Sequence, residues 1–163
     1  MASTPSPPIS SADPDLAAAT PAVVLDTNAV LDWLVFRHIS CLGWESRFAA
    51  GSVRWLASAA MREELAHVLD RGVGGDRVPD MSALWAAWDR WAMPAEAAHL
   101  APPASHPRCT DAGDQKFIDL ALAHRARWLV SRDRAVLKLA RRARPLGLHI
   151  LTPEAWEMTL SVG

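Results

Sequence analysis

Along the 163-residue chain, short solid apolar runs alternate with longer stretches whose apolar positions repeat with a helical period. Ala22-Val23-Val24-Leu25, Val53-Arg54-Trp55-Leu56, Trp128-Leu129-Val130 and His149-Ile150-Leu151 are of strand length. The first reads as a parallel strand buried on both faces. The stretches between them predict helices over 28–36, 41–50, 58–70, 82–91, 114–125 and 135–142. A last short helix starts at Pro153 with Thr152 as its cap. Ser58 is placed to cap the third helix, Gly72 to end it and Gly51 to stop the second. Residues 72–79 (GVGGDRVP) read as a loop, and Pro94 to Arg108, with four prolines, as irregular chain. Strands alternating with helices give an α/β domain with a mainly parallel sheet covered on both faces. Ligands of such folds sit at the carboxyl ends of the strands.

Composition sets the limits of this picture. Met1 to Pro21 is rich in Ala, Ser and Pro and buries too little apolar area to order itself, so residues 1–21 read as a disordered N-terminal tail and 22–163 as one domain. The net charge of −1 means that any binding of nucleic acid depends on a local patch. Cys41 and Cys109 lack metal-ligand spacing and form no disulfide framework. With reduced thiols, no run of membrane-spanning length and no signal-peptide pattern, the expectation is a cytoplasmic protein with no membrane partner. Eight tryptophans with no tyrosine is unusual, and packing is the favoured role for most of them.

The chemistry lies in the acids. Asp26 ends the first strand and is followed by Thr27 and Asn28. It serves as a helix cap or as a site residue, and three polar residues on a strand end favour the site. In the helix from Asp114, residues Phe117, Ile118, Ala121 and Leu122 form an apolar stripe onto whose centre Asp114 projects. A carboxylate on a buried face is costly unless paired or bound to a cation. Asp119 projects off the stripe and reads as solvated. Asp111, three residues before Asp114, suits a cap and a site equally. On the 58–70 helix, Met61, Leu65 and Val68 mark the inner face; Glu64 borders it and Glu63 points away. Asp133 follows the third strand as a cap or a ligand, and Asp32 reads as an exposed helix charge.

Four acids converging on one sheet edge repel one another and need a divalent cation; an all-oxygen donor set selects Mg²⁺ or Mn²⁺. Such ions activate water and polarise phosphoryl oxygens. No histidine suggests another centre. Eight of the seventeen Lys and Arg lie between Arg125 and Arg144, among them Arg132, Arg134 and Lys138, and they bracket Asp133. A basic rim beside an acidic metal site suits a polyanion.

At this point Val24-Leu25-Asp26-Thr27-Asn28, Glu63-Glu64-Leu65-Ala66-His67-Val68-Leu69, Asp111-Ala112-Gly113-Asp114-Gln115-Lys116-Phe117-Ile118 and Leu129-Val130-Ser131-Arg132-Asp133 resemble, in order, the acidic motifs of PIN-domain nucleases. The likeness is greatest to the bacterial toxins of toxin–antitoxin pairs. It implies a Rossmann-like three-layer α/β/α sandwich and a Mg²⁺- or Mn²⁺-dependent endoribonuclease that leaves 5′-phosphate and 3′-hydroxyl ends. Asp26, Glu64, Asp114 and Asp133 match the family's catalytic, metal-binding quartet, and Asn28 and Ser131 match supporting positions. The resemblance also implies a homodimer held inactive by an antitoxin whose tail lies across the site.

Two rivals stand beside this reading. A phosphatase of the haloacid dehalogenase type also begins with an Asp after the first strand, but it wants a second carboxylate two residues on, where this chain has Asn28. A PIN-like module that binds RNA or protein without cutting needs no complete set of acids, and this chain has one.

Overall fold

The computed structural model describes residues 20–97 and 105–163. Five strands form a single sheet among these residues: β1 (Ala22–Leu25), β2 (Arg54–Ala57), β3 (Ala92–Pro94), β4 (Trp128–Val130) and β5 (His149–Leu151). Their order is β3-β2-β1-β4-β5 and every pair is parallel. The chain first winds outward from β1 through β2 to β3, then returns to β4 on the other side. Right-handed crossovers therefore place helices on both faces, and the order reverses between β1 and β4. Eight α-helices complete the described fold: α1 (Thr27–Leu34), α2 (Trp44–Ala49), α3 (Ala59–Arg71), α4 (Met81–Trp91), α5 (Gln115–Ala123), α6 (Arg134–Leu137), α7 (Ala140–Ala143) and α8 (Pro153–Ser161). None of them is long and apolar enough to cross a membrane.

Capping defines several helix ends. The Ser58 hydroxyl accepts the Met61 amide at 3.3 Å and Thr152 accepts that of Ala155 at 3.2 Å, satisfying first-turn donors as the sequence predicts. Gly72 ends α3 at φ +86°, a conformation that penalises a side chain. Val23, Val24, Leu129 and Val130 are fully buried, in keeping with a central strand pair covered on both faces. Beside them Trp44 packs edge-on against Trp156 (ring centroids 5.0 Å apart) and Trp55 against Trp88 (4.8 Å). These large rings thus fill the core, as their packing role requires.

Several elements depart from the sequence pattern. β3 lies where helix was expected to give way to irregular chain. It is a three-residue edge strand, and its Pro94 is tolerated because an edge strand need not donate on both sides. The 41–50 helix divides into a 3-10 turn (Ile39–Cys41) and α2, with Gly43 between them. The 135–142 helix divides into α6 and α7, with Val136 and Ala143 fully buried and Leu139 nearly so. Asp32 is not an exposed charge, since it pairs with Arg132 and its side chain is 16% exposed; Asp119 keeps a 40% exposed side chain and also accepts from His106 Nε2 at 2.6 Å and from Gln115 Nε2 at 2.9 Å. Of the N-terminal tail, residues 1–19 lie outside the described residues, as do 98–104 of the proline-rich stretch. Pro21 is already tied down, its carbonyl accepting the Arg54 amide at 2.9 Å.

Candidate active site

The reversal of strand order sets the place of the site. β1 delivers Asp26 to its carboxyl end, and β4 delivers Ser131, Arg132 and Asp133 to the same edge beside it. α3 and α5 add Glu64 and Asp114. All four acids line one pocket of about 140 Å³ with Thr27, Asn28, Val68 and Phe117. That volume accommodates a cation with several waters.

Each acid is held differently. Asp26 is 3% exposed. Its Oδ1 caps α1 by accepting the Ala29 amide at 2.8 Å, and its Oδ2 accepts the Ser131 hydroxyl. Burial raises its carboxyl to about 6, and Asp114 nearby adds to the rise, while Ser131 and Ala29 oppose it. Glu64 is half-buried and Glu63 exposed, as the helical phase predicts. Glu64 Oε2 accepts Thr27 Oγ1–H at 2.6 Å, and its Oε1 pairs with Lys116 Nζ at 3.1 Å. Asp133 caps α6, its Oδ1 accepting the Ala135 amide at 2.7 Å. Cap and pocket-lining roles coexist in Asp26 and in Asp133.

Asp114 occupies the N-cap position of α5 without capping it. The helix begins later than its periodicity suggests, so Asp111 does not cap it either. Asp111 is exposed, stands outside the pocket lining, and closes the preceding turn by accepting the Gly113 amide at 2.8 Å. Asp114 Oδ2 is buried and accepts no hydrogen bond. Burial raises the Asp114 carboxyl to about 6, with Asp133, Asp111 and Glu64 adding repulsion and Lys116 opposing them.

Ser131 is fully buried and joins two acids. Its hydroxyl donates to Asp26 and accepts the Asp133 amide at 3.0 Å. Ser131→Ala leaves Asp26 Oδ2 without its donor and frees the Asp133 loop. Partners of this kind are worth roughly 10–100-fold in metal affinity. The expected result is Mn²⁺ binding weakened by that factor with the fold retained, measured by titration calorimetry and circular dichroism. Unchanged affinity would show that Ser131 does not hold the acids in place.

The basic residues divide. Arg132 is engaged by Asp32 and by Glu154 (2.6 Å), joining α1, the β4 loop and α8. Arg134 and Lys138 are exposed on and just after α6. Arg125 and Arg127 precede β4, and Arg141, Arg142 and Arg144 precede β5, which places both groups toward the opposite edge of a parallel sheet. Only the middle of the basic run is on the pocket side.

Two residues of the site escaped sequence reasoning as individuals. Thr27 had a signal, since it sits between Asp26 and Asn28. Lys116 had none in helical phase, and its partner Glu64 lies 52 positions away in sequence.

The donor set suits a hard divalent cation in kind: four carboxylates, one of them with a buried, unpartnered oxygen, beside the side-chain oxygens of Thr27 and Asn28. As placed, no group of three or more His, Cys, Asp or Glu side chains among the described residues stands ready to hold a metal ion.

No curated protein matches the chain. The family model of the PIN domain matches residues 22–135. The match opens on the first residue of β1 and closes on Ala135, whose amide Asp133 caps. It thus embraces all four acids of the pocket, and the chain belongs to the PIN-domain family, whose members are generally nucleases.

Proposed function

We infer that the protein is a Mg²⁺- or Mn²⁺-dependent endoribonuclease working from the Asp26, Glu64, Asp114 and Asp133 pocket. The observation that carries this reading is the convergence of four acids on the β1/β4 reversal point, with Asp114 Oδ2 buried and unpartnered. Asp26, Asp114, Asp133 and Glu64 would hold the cation, which supplies a lowered pKa for attacking water and charge for the phosphoryl oxygens. Ser131 fixes the rotamer of Asp26, and Thr27 that of Glu64. Asn28 is exposed at the mouth of the pocket. Arg134 and Lys138 offer cations to the RNA backbone; Arg132 steadies the loop that carries Asp133.

The likeness of the four acidic motifs to bacterial toxins supports a role as the toxin of a cytoplasmic toxin–antitoxin pair, acting as a homodimer and silenced by its antitoxin. Purified protein incubated with a mixed pool of single-stranded and structured RNA tests the activity. Cleavage is expected with Mg²⁺ or Mn²⁺ and not with EDTA, leaving 5′-phosphate ends. Mn²⁺-dependent RNA binding without any cleavage would favour the non-catalytic binding module.

The basic residues give a separate expectation. Replacing both Arg134 and Lys138 with Glu weakens RNA binding uniformly across sequences and lowers the salt slope by about 2, one for each lost phosphate contact. An unchanged slope in filter-binding titrations would remove these two residues from the RNA path.

A further inference from the structure

Among the described residues Lys116 is the one lysine or arginine that forms an ion pair with a pocket acid, and three contacts hold it. Its Nζ donates to the Gly113 carbonyl at 2.7 Å, pairs with Glu64 Oε1 at 3.1 Å, and lies 5.2 Å from the centre of the Phe117 ring, over its face. Glu64 is thereby engaged at both oxygens, by Lys116 at Oε1 and by Thr27 at Oε2. Asp114, two residues before Lys116, has the opposite condition, with a buried oxygen and no donor. The four acids share a pocket, yet no three of them stand ready for a metal ion. Pairing with Lys116 and Thr27 accounts for the share of Glu64 in that separation.

We propose that Lys116 is a resident counter-ion of the carboxylate pocket, pairing with Glu64 in the ion-free protein and surrendering it when a divalent cation enters. The inference rests on the metal-dependent reading above. Lys116 here is a positioning residue that acts through Glu64. In the ion-free state its ammonium offsets part of the repulsion among four carboxylates. The same ammonium competes with a divalent cation for Glu64 and weakens the negative field of the pocket. Its anchor on Gly113 does not depend on Glu64, so it can release the carboxylate without leaving the helix end. Lys116 thereby raises the divalent concentration at which Glu64 becomes a ligand.

The competition has a sign that a structural role does not share. A lysine that merely braces Glu64 would, when removed, leave the acid misplaced and the ion bound more weakly. A competing lysine, when removed, leaves the ion bound more tightly. The half-exposed pair limits the gain to roughly three- to tenfold. Mn²⁺ titration calorimetry at constant pH and low ionic strength reads it in the full-length wild type, Lys116→Met and Lys116→Gln. The same pair of substitutions in a Glu64→Gln background completes a double-mutant cycle. Tighter Mn²⁺ binding in both lysine variants, shrinking toward the plain field effect without Glu64, is expected. Unchanged or weaker binding in folded lysine variants, with wild type binding Mn²⁺ normally, overturns the counter-ion role and leaves the nuclease reading intact. Failure of the wild type to bind Mn²⁺ at all overturns both.

Discussion

Asp114→Asn is expected to abolish the proposed Mn²⁺-dependent RNA cleavage while leaving the fold at least as stable as before. Asp114 presents a buried oxygen with no donor, among the charges of Asp133, Asp111 and Glu64. The amide of an asparagine would place N–H donors or a neutral oxygen there. Either choice removes a charge that a cation needs and relieves repulsion that the ion-free protein bears. Outer-shell partners of metal ligands are worth roughly 10–100-fold, so loss of the ligand itself should exceed about a hundredfold in rate. Asp26→Asn should be equally inactive. The pairing of lost activity with retained stability is the informative part. Asp114→Asn protein that unfolds near the assay temperature would show that the carboxylate serves packing instead. Active Asp114→Asn protein would take Asp114 out of the ligand set.

The second large effect is a pH-dependence of stability with an unusual sign. Burial raises Asp26 to about 6 from its ordinary 3.8. The folded, ion-free protein therefore holds this proton more tightly than the unfolded chain does. Stability contributed by the protonated form is fully present below about pH 4 and is lost as pH rises through about 6. A rise of this size on a carboxyl so deeply buried corresponds to a loss of about 1–3 kcal/mol. Asp114 is raised in the same direction and adds to the trend. Denaturant unfolding in EDTA should therefore show a decline in wild type between about pH 4 and 6 that is reduced in Asp26→Asn. Saturating Mn²⁺ should restore the loss at pH 7.5 and do much less at pH 5, where the ligands hold protons. Stability that rises across this window by the same amount in both proteins, with no metal effect, would mean that Asp26 is not a strained charge.

The parts of this molecule that were legible in the sequence are those set by neighbours along the chain. Ala22–Leu25 and Trp128–Val130 read as strands because apolar runs of strand length have few alternatives. Ser58 and Thr152 read as caps because a cap binds an amide only three residues ahead. Glu64 was separable from Glu63 by helical phase and by the Glu-Leu…Val-Leu pattern that follows it, and its half-buried position agrees. What stayed hidden depends on tertiary pairing. Asp32 meets Arg132 from 100 positions away, and Lys116 meets Glu64 from across two elements. No local pattern marks such partners. β3 is a strand only because β2 offers an edge, and its Ala-Met-Pro sequence carries no strand signal. Asp111, open between cap and site in the sequence, does not cap the helix, because the loop that feeds it closes on its own Asp111–Gly113 bond and Asp114 takes the N-cap position.

The proposed chemistry requires the pocket between β1 and β4 to be a divalent-cation centre. Anomalous diffraction from crystals soaked in Mn²⁺ tests it directly, because the manganese signal marks the ion independently of any assay. A peak within bonding distance of Asp26 and Asp114, absent in Asp114→Asn crystals, is the expected result. Well-diffracting crystals at saturating Mn²⁺ with no peak in this pocket, or with manganese bound only elsewhere, would contradict it.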